Sequence, residues 1–266
     1  MRSRRAKISA RRKPKSAESA PLAEIRGVEK TFESGITALR DVTFSIRRGE
    51  LLSLLGASGC GKTSLLRIIA GLLAPDRGSV TWKDGARPRE TGFVFQDAAL
   101  MPWASVGANI RLPLRLLGID GRAADLRVHE ALAQVGLEKF RDAFPHELSG
   151  GMKMRASLAR ALIVKPKLLL MDEPFSALDE ISRFKLNDEL LALWQNLDCT
   201  VVFVTHSVFE AAYLSTRTLV MSPRPGTIAE EIRFLPAVER FDPQYRTSAS
   251  FAARARKLSE ALERAQ

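Results

Sequence analysis

The sequence predicts an α/β fold with a mainly parallel central sheet, an N-terminal antiparallel β subdomain and an inserted helical subdomain. Three observations carry this prediction. Short, almost wholly apolar segments occur at 51–55, 168–171 and 201–204, as in strands buried on both faces. A glycine-rich loop joins the first of them to a helical pattern, and the later segments alternate with helical ones.

The elements follow in order. After a polar stretch to about residue 20, Val42, Phe44 and Ile46 alternate with Thr43, Ser45 and Arg47, as in a half-buried strand. The triplet Arg48, Gly49 and Glu50 makes a turn into the apolar run Leu51, Leu52, Ser53, Leu54 and Leu55. Beyond the glycine loop, Leu65, Leu66, Ile68, Ile69 and Leu72 recur at helical spacing, and residues 71–75 end that helix. From about 97 to 156 the pattern is helical, broken at Pro102, Pro113 and Pro145. Strands resume at 168–171, 201–204 and 219–221, with helices near 182–197 and 207–214 between them. The chain therefore divides into a basic disordered tail at 1–20, a main domain at 21–235 and a charged, Ala-rich surface helix within 236–266.

Composition narrows the function classes. With 45% hydrophobic and 27% charged residues the chain lies in the ordinary globular range. Its apolar runs fall far short of the ~20 residues that cross hydrocarbon. The basic amino terminus lacks the apolar stretch and cleavage site of a secretory signal, so a cytoplasmic location is expected. Cys60 and Cys199 have no partner at metal-ligand spacing, which argues against a disulfide framework or a zinc site. The formal charge of +11 is concentrated: residues 1–15 hold eight basic and no acidic side chains, leaving +3 for the remainder. The tail reads as a solvated extension, with anchoring on anionic lipid and nucleic-acid binding as alternatives.

The chemistry-bearing motif is Gly56, Ala57, Ser58, Gly59, Cys60, Gly61, Lys62 and Thr63, which fits G-x-x-x-x-G-K-[ST] between a strand and a helix. Glycines let successive N–H groups face one centre, and the helix N-terminus adds its positive dipole end. Lys62 suits the β and γ phosphates, and the Thr63 hydroxyl suits Mg²⁺. Ser64 opens the same helix. At the end of an apolar strand, Asp172 is a metal candidate and Glu173 a general base.

An ordered set of further segments accompanies this loop. Gln96 follows Phe93, Val94 and Phe95. Leu148, Ser149, Gly150, Gly151 and Met152 precede the Asp172–Glu173 pair, and Ser176, Ala177, Leu178, Asp179 and then His206 follow it. The set resembles the ABC ATPase family over about residues 22–235, a P-loop NTPase core. The resemblance implies ATP and Mg²⁺ as ligands and a head-to-tail homodimer, in which the signature 148–152 of one subunit faces the phosphate loop of the other. It implies catalytic roles for Glu173, His206 and Gln96, metal contacts for Thr63, Gln96 and Asp172, and communication across the dimer for residues 176–179. Phe32 stands near where relatives stack an aromatic on adenine, with Phe44 as its rival. Met152 and Met154 replace residues usual in relatives. Met154 reads either as a neutral change or as an altered surface on the signature helix.

The stretch Leu100, Met101, Pro102, Trp103, Val106, Asn109 and Ile110 is similar to the subgroup importing nitrate, sulfonates and taurine. That similarity implies an importer subunit on the cytoplasmic face of the inner membrane. Its partners are transmembrane permease subunits and, indirectly, a solute-binding protein; nucleic acid is not expected. An exposed apolar patch at Leu100, Met101 and Trp103 would dock the permease, unless Trp103 packs inside the subdomain. The alternative reading is a soluble ABC ATPase acting on nucleic acid through the tail.

Overall fold

The computed structural model describes residues 21–85, 91–234, 240, 242 and 244–266. The basic tail expected at 1–20 lies outside them. The first strands, β1 (Pro21–Thr31) and β2 (Thr37–Arg47), form an antiparallel hairpin. Its alternating buried positions include Val42, Phe44 and Ile46, as the period-two pattern requires. β3 (Leu51–Leu55) is buried at every residue and runs into α1 (Lys62–Ile69).

The sequence reading passed over β4 (Arg77–Trp82), which is mostly exposed and has a weak apolar signal. It joins the small sheet, whose order is β2-β1-β4. β5 (Thr91–Val94) then leads into the helical insertion, made of α2 (Val106–Leu116), α3 (Gly121–Gln134) and α4 (Gly150–Leu162). These helices share their own core, centred on Val106, Ile110, Leu132, Leu148, Ala156 and Ala159. Helix α4 runs to Leu162, beyond the expected end near 156.

The remaining elements are β6 (Leu168–Asp172), α5 (Glu180–Asn196), β7 (Thr200–Thr205), α6 (Val208–Leu214), β8 (Arg217–Met221), β9 (Ile228–Arg233) and α7 (Ala249–Arg264). The large sheet has the order β5-β6-β7-β3-β8-β9 and is parallel except for the β8–β9 pair. Strands β3, β6, β7 and β8 are wholly buried, which explains their predominantly apolar sequences. β9 lies at the sheet edge with Ile232 as its one buried residue, and the sequence reading missed it.

Helix α7 departs from the surface helix expected of its composition. Phe251, Arg254, Ala255, Leu258 and Ala261 are buried, and its contacts reach α6 and β8. Arg254 donates to Ser215 O at 2.6 Å, while Phe251 and Tyr245 pack edge to face. Long side chains at i, i+3 and i+7 gave this helix a buried face that overall charge concealed.

One ion pair ties the two sheets together. Arg217, 3% exposed at the start of β8, places Nε and Nη2 on the two carboxylate oxygens of Glu50 at 2.9 and 2.8 Å. Its Nη1 donates to Glu231 of β9 at 3.1 Å, and Nη2 also reaches Ser45 O of β2. Burial alone would lower the guanidinium pKa, but the contacts with Glu50 and Glu231 together outweigh it and raise it. Removing one partner strands a buried charge, so Glu50→Ala should cost about 3–5 kcal/mol in urea unfolding. The double change Glu50→Ala, Arg217→Met should cost less than Glu50→Ala alone.

Candidate functional site

The site is assembled at the carboxyl ends of three adjacent strands. The register pairs Leu55 of β3 with Thr205 of β7, and Asp172 of β6 with Val204 of β7, so the three strands end level. The residues that follow each strand are Gly56, Glu173 and His206, and this edge is where ligands gather in open α/β sheets.

The loop after β3 curls tightly before α1. Gly61 caps the helix at φ +102°, and a side chain there would stand 2.6 Å from Ala38 O, so only glycine fits. Cys60 is 1% exposed, and burial pushes its thiol pKa up, in keeping with a packed loop residue. Lys62 is 3% exposed and donates to Gly56 O at 2.9 Å and Ala57 O at 2.8 Å. Its ammonium lies 3.4 Å from Glu173 Oε1.

Thr63 donates its hydroxyl to Asp172 Oδ1 at 2.8 Å. Burial pushes the Asp172 carboxyl pKa up, opposed by that hydrogen bond. Two adjacent hard oxygen donors are the protein contribution that Mg²⁺ ordinarily takes. The residues fit that ion and a triphosphate: a glycine-lined turn, a buried ammonium, and the Thr63–Asp172 pair.

Glu173 adopts a left-handed backbone at φ 42°, a strained conformation for a carboxylate side chain. Its Oε2 is 2.9 Å from His206 Nδ1. Ser176 donates its hydroxyl to Glu173 O at 2.9 Å, and Gln96 Nε2 lies 3.5 Å from that hydroxyl. The structure thus brings Lys62, Thr63, Gln96, Asp172, Glu173, Ser176 and His206 into one neighbourhood.

The signature residues stand elsewhere. Ser149 caps α4 by accepting the Met152 N–H at 3.3 Å, and Gly150 and Gly151 open the helix. The position a Gly150 side chain would take is 3.6 Å from Leu178, and that of Gly151 is 3.9 Å from Ser182. Met154 is 5% exposed, so the altered-surface reading fails; it fills the core instead. Phe32 is 40% exposed at the turn after β1, whereas its rival Phe44 is buried.

Of the exposed patch expected at Leu100, Met101 and Trp103, only Trp103 is exposed, while Leu100 packs against two cores; sequence reasoning also missed what shapes this loop. Asn109, fully buried, accepts the Met101 N–H at 2.7 Å and donates to Met101 O, Ala104 O and Ser105 O at 3.0–3.1 Å. One amide thereby shapes the whole loop, and Trp103 stands out from it at 77% exposure. Trp103 is therefore not packed inside the subdomain. A polar residue between apolar Val106 and Ile110 was the available signal for such a lock.

Comparison with known proteins agrees with this geometry. The family pattern described as "ABC transporter" matches residues 39–176. An aliphatic sulfonates import ATP-binding protein of Pseudomonas savastanoi pv. phaseolicola is 48% identical over 212 residues, covering 79% of this chain and 85% of its own. A nitrate import ATP-binding protein of Synechocystis sp. is 40% identical over 232 residues, covering 84% and 86%. Among solved structures, the dimeric post-hydrolysis state of an ATP-binding cassette with ADP and Pi superposes at a TM-score of 0.71. It is 31% identical and covers 80% of this chain and 98% of that one. With half its length matched by the family pattern and such relatives along most of the rest, the chain belongs to the ABC transporter ATP-binding family.

Proposed function

We propose that this chain is the ATP-binding and ATP-hydrolysing subunit of an importer for a small anionic or zwitterionic solute such as nitrate, a sulfonate or taurine. The observation that carries the reading is the approach of Glu173 to both Lys62 and His206 beside the Thr63–Asp172 pair. The import proteins among its relatives support the transport class over the nucleic-acid alternative.

In this reading ATP is the substrate. Backbone N–H groups at 56–64 cradle its phosphates, Lys62 neutralises them and Phe32 offers a face to the base. Thr63 and Asp172, with Gln96 nearby, would hold Mg²⁺, which would supply further neutralisation of the phosphate oxygens. Glu173 accepts the proton of the attacking water, and His206 orients that carboxylate and faces the developing charge.

The opposing set is Leu148, Ser149, Gly150, Gly151 and Met152 from a second copy, so two sites form in a head-to-tail homodimer. The dimeric cassette among the solved structures supports that assembly. ATP shifts the dimer toward closure only through its higher affinity for the closed state. Closure then brings the helical subdomains together on two permease subunits, with a solute-binding protein delivering the cargo. No helix among the described residues is long and apolar enough to cross a membrane. The chain acts in this reading as a peripheral subunit on the cytoplasmic face of the inner membrane.

Three outcomes test this reading. Glu173→Gln should lower ATP turnover by about 10²–10⁴-fold while retaining ATP binding and accumulating dimers in size-exclusion chromatography; unchanged turnover removes Glu173 as base. Lys62→Ala should raise the ATP Kd by about 10- to 100-fold, measured by calorimetry, through loss of charge-assisted contacts. In the native host, Trp103→Asp should abolish growth on the imported nitrogen or sulfur source with ATP affinity of the purified chain unaltered. Normal growth would take Trp103 out of the permease contact.

A further inference from the structure

Glu210 lies on α6, one turn beyond His206, and its side chain is 7% exposed. Its Oε2 accepts the Thr205 hydroxyl, and that same hydroxyl accepts the Ser207 N–H at 2.9 Å. Glu210 thereby fixes both residues that flank His206. Its Oε1 has no hydrogen-bond partner among the described residues. Facing Oε1 at 3.7 Å is Arg183 Nε on α5, which is buried and equally unpartnered. Leaving a buried donor and acceptor open costs free energy, so a gap between two such groups calls for a reason.

The other end of Arg183 supplies it. Its Nη2 donates to Leu178 O at 3.1 Å and reaches Ser176 O at 3.4 Å, both in the turn at 176–179. The Ser176 hydroxyl in turn holds Glu173 O. Contacts therefore form a closed ring, from Glu173 through Ser176, Arg183, Glu210 and Thr205 to His206, and back to Glu173 across 2.9 Å. Apart from the peptide bond from Thr205 to His206, the ring is closed by hydrogen bonds except between Arg183 and Glu210. A shift of roughly 0.7 Å would bring that pair to ordinary hydrogen-bond length.

We propose that Arg183 and Glu210 are a positioning pair that transmits movement of the turn at 176–179 to His206, and through it to Glu173. Neither touches substrate. When the turn moves against a second copy of the chain, the guanidinium it holds moves with it and closes on Oε1. Glu210 then pulls on the Thr205 hydroxyl, tightening the segment that aims His206 at Glu173. Misplacing a catalytic group by about 1 Å costs up to ~100-fold in rate, so a small closure suffices to gate turnover.

The proposal rests on the ATPase reading above, and the test separates the two. Steady-state hydrolysis is measured on the full chain as wild type, Glu173→Gln, Glu210→Gln, Arg183→Met and the Glu210→Gln, Arg183→Met double variant. Glu210→Gln keeps an acceptor for Thr205 but loses the charge facing Arg183. The expected result is a fall in kcat of about 10- to 100-fold in each single variant of the pair. The KM for ATP should stay within about twofold, and the double variant should be no slower than the slower single. A Tm equal to wild type excludes simple unfolding; where Arg183→Met lowers it, Arg183→Lys replaces it, keeping charge without the two-armed contact. Unchanged kcat in either single variant, or losses that multiply in the double, overturns the pair while wild-type turnover and its loss in Glu173→Gln leave the ATPase reading standing. A wild-type chain without turnover overturns the ATPase reading, and the pair with it.

Discussion

A lysine ammonium that is 3% exposed must be compensated close by, and Lys62 has two loop carbonyls and the Glu173 carboxylate within 3.4 Å. That requirement constrains the sheet. Glu173 reaches Lys62 only because β6, β7 and β3 are neighbours ending at one level. Glu173 itself holds a left-handed backbone, which costs of order 1–3 kcal/mol and persists where surroundings over-determine it. They do so here: its N–H donates to Val204 O at 3.1 Å, and its carbonyl accepts both the N–H and the hydroxyl of Ser176. Strain at this residue is thus stored by the same turn that the Arg183 guanidinium grips.

Much of this was legible in the chain because chemistry here is written in short contiguous stretches. Residues 56–63 carry their own geometry, since Gly61 admits no side chain beside Ala38 O. Buried parallel strands announce themselves as apolar runs, and Gly56, Glu173 and His206 follow three of the strands they form. What escaped was written at longer range. Strands β4 and β9 lie at sheet edges and have too few buried positions to set a period. Phe32 and Phe44 are indistinguishable by residue type, and only the β1–β2 turn separates an exposed ring from a buried one. Glu210 reads as a helix-surface carboxylate until Arg183, from a different helix, is seen facing it.

Helix α4 joins the two ends of the proposed machine. Its N-terminus carries Ser149 and the glycines, while Arg160 near its C-terminus donates to Ala98 O and Ala99 O just after Gln96. The loop bearing Trp103 follows directly and is held in shape by Asn109 on α2, which shares a core with α4. Close-packed interiors transmit displacement instead of absorbing it. A tilt of this subdomain would therefore carry the signature helix and the Trp103 patch as one body.

Gln96 is where such a tilt would meet the surroundings of Glu173. It is exposed, follows the end of β5, and lies beside the Ser176 hydroxyl that holds Glu173. Residues that absorb rigid-body motion are commonly those at element ends, where few contacts resist a change in backbone angle. Arg160 fixes the backbone two and three residues later, so the displacement has little chain over which to dissipate before Gln96. The amide side chain, at 3.5 Å from Ser176, is held loosely enough to leave and near enough to return. Gln96 thus offers one weak, breakable contact between the subdomain and the turn that holds Glu173, beside the firmer packing of α4 on α5.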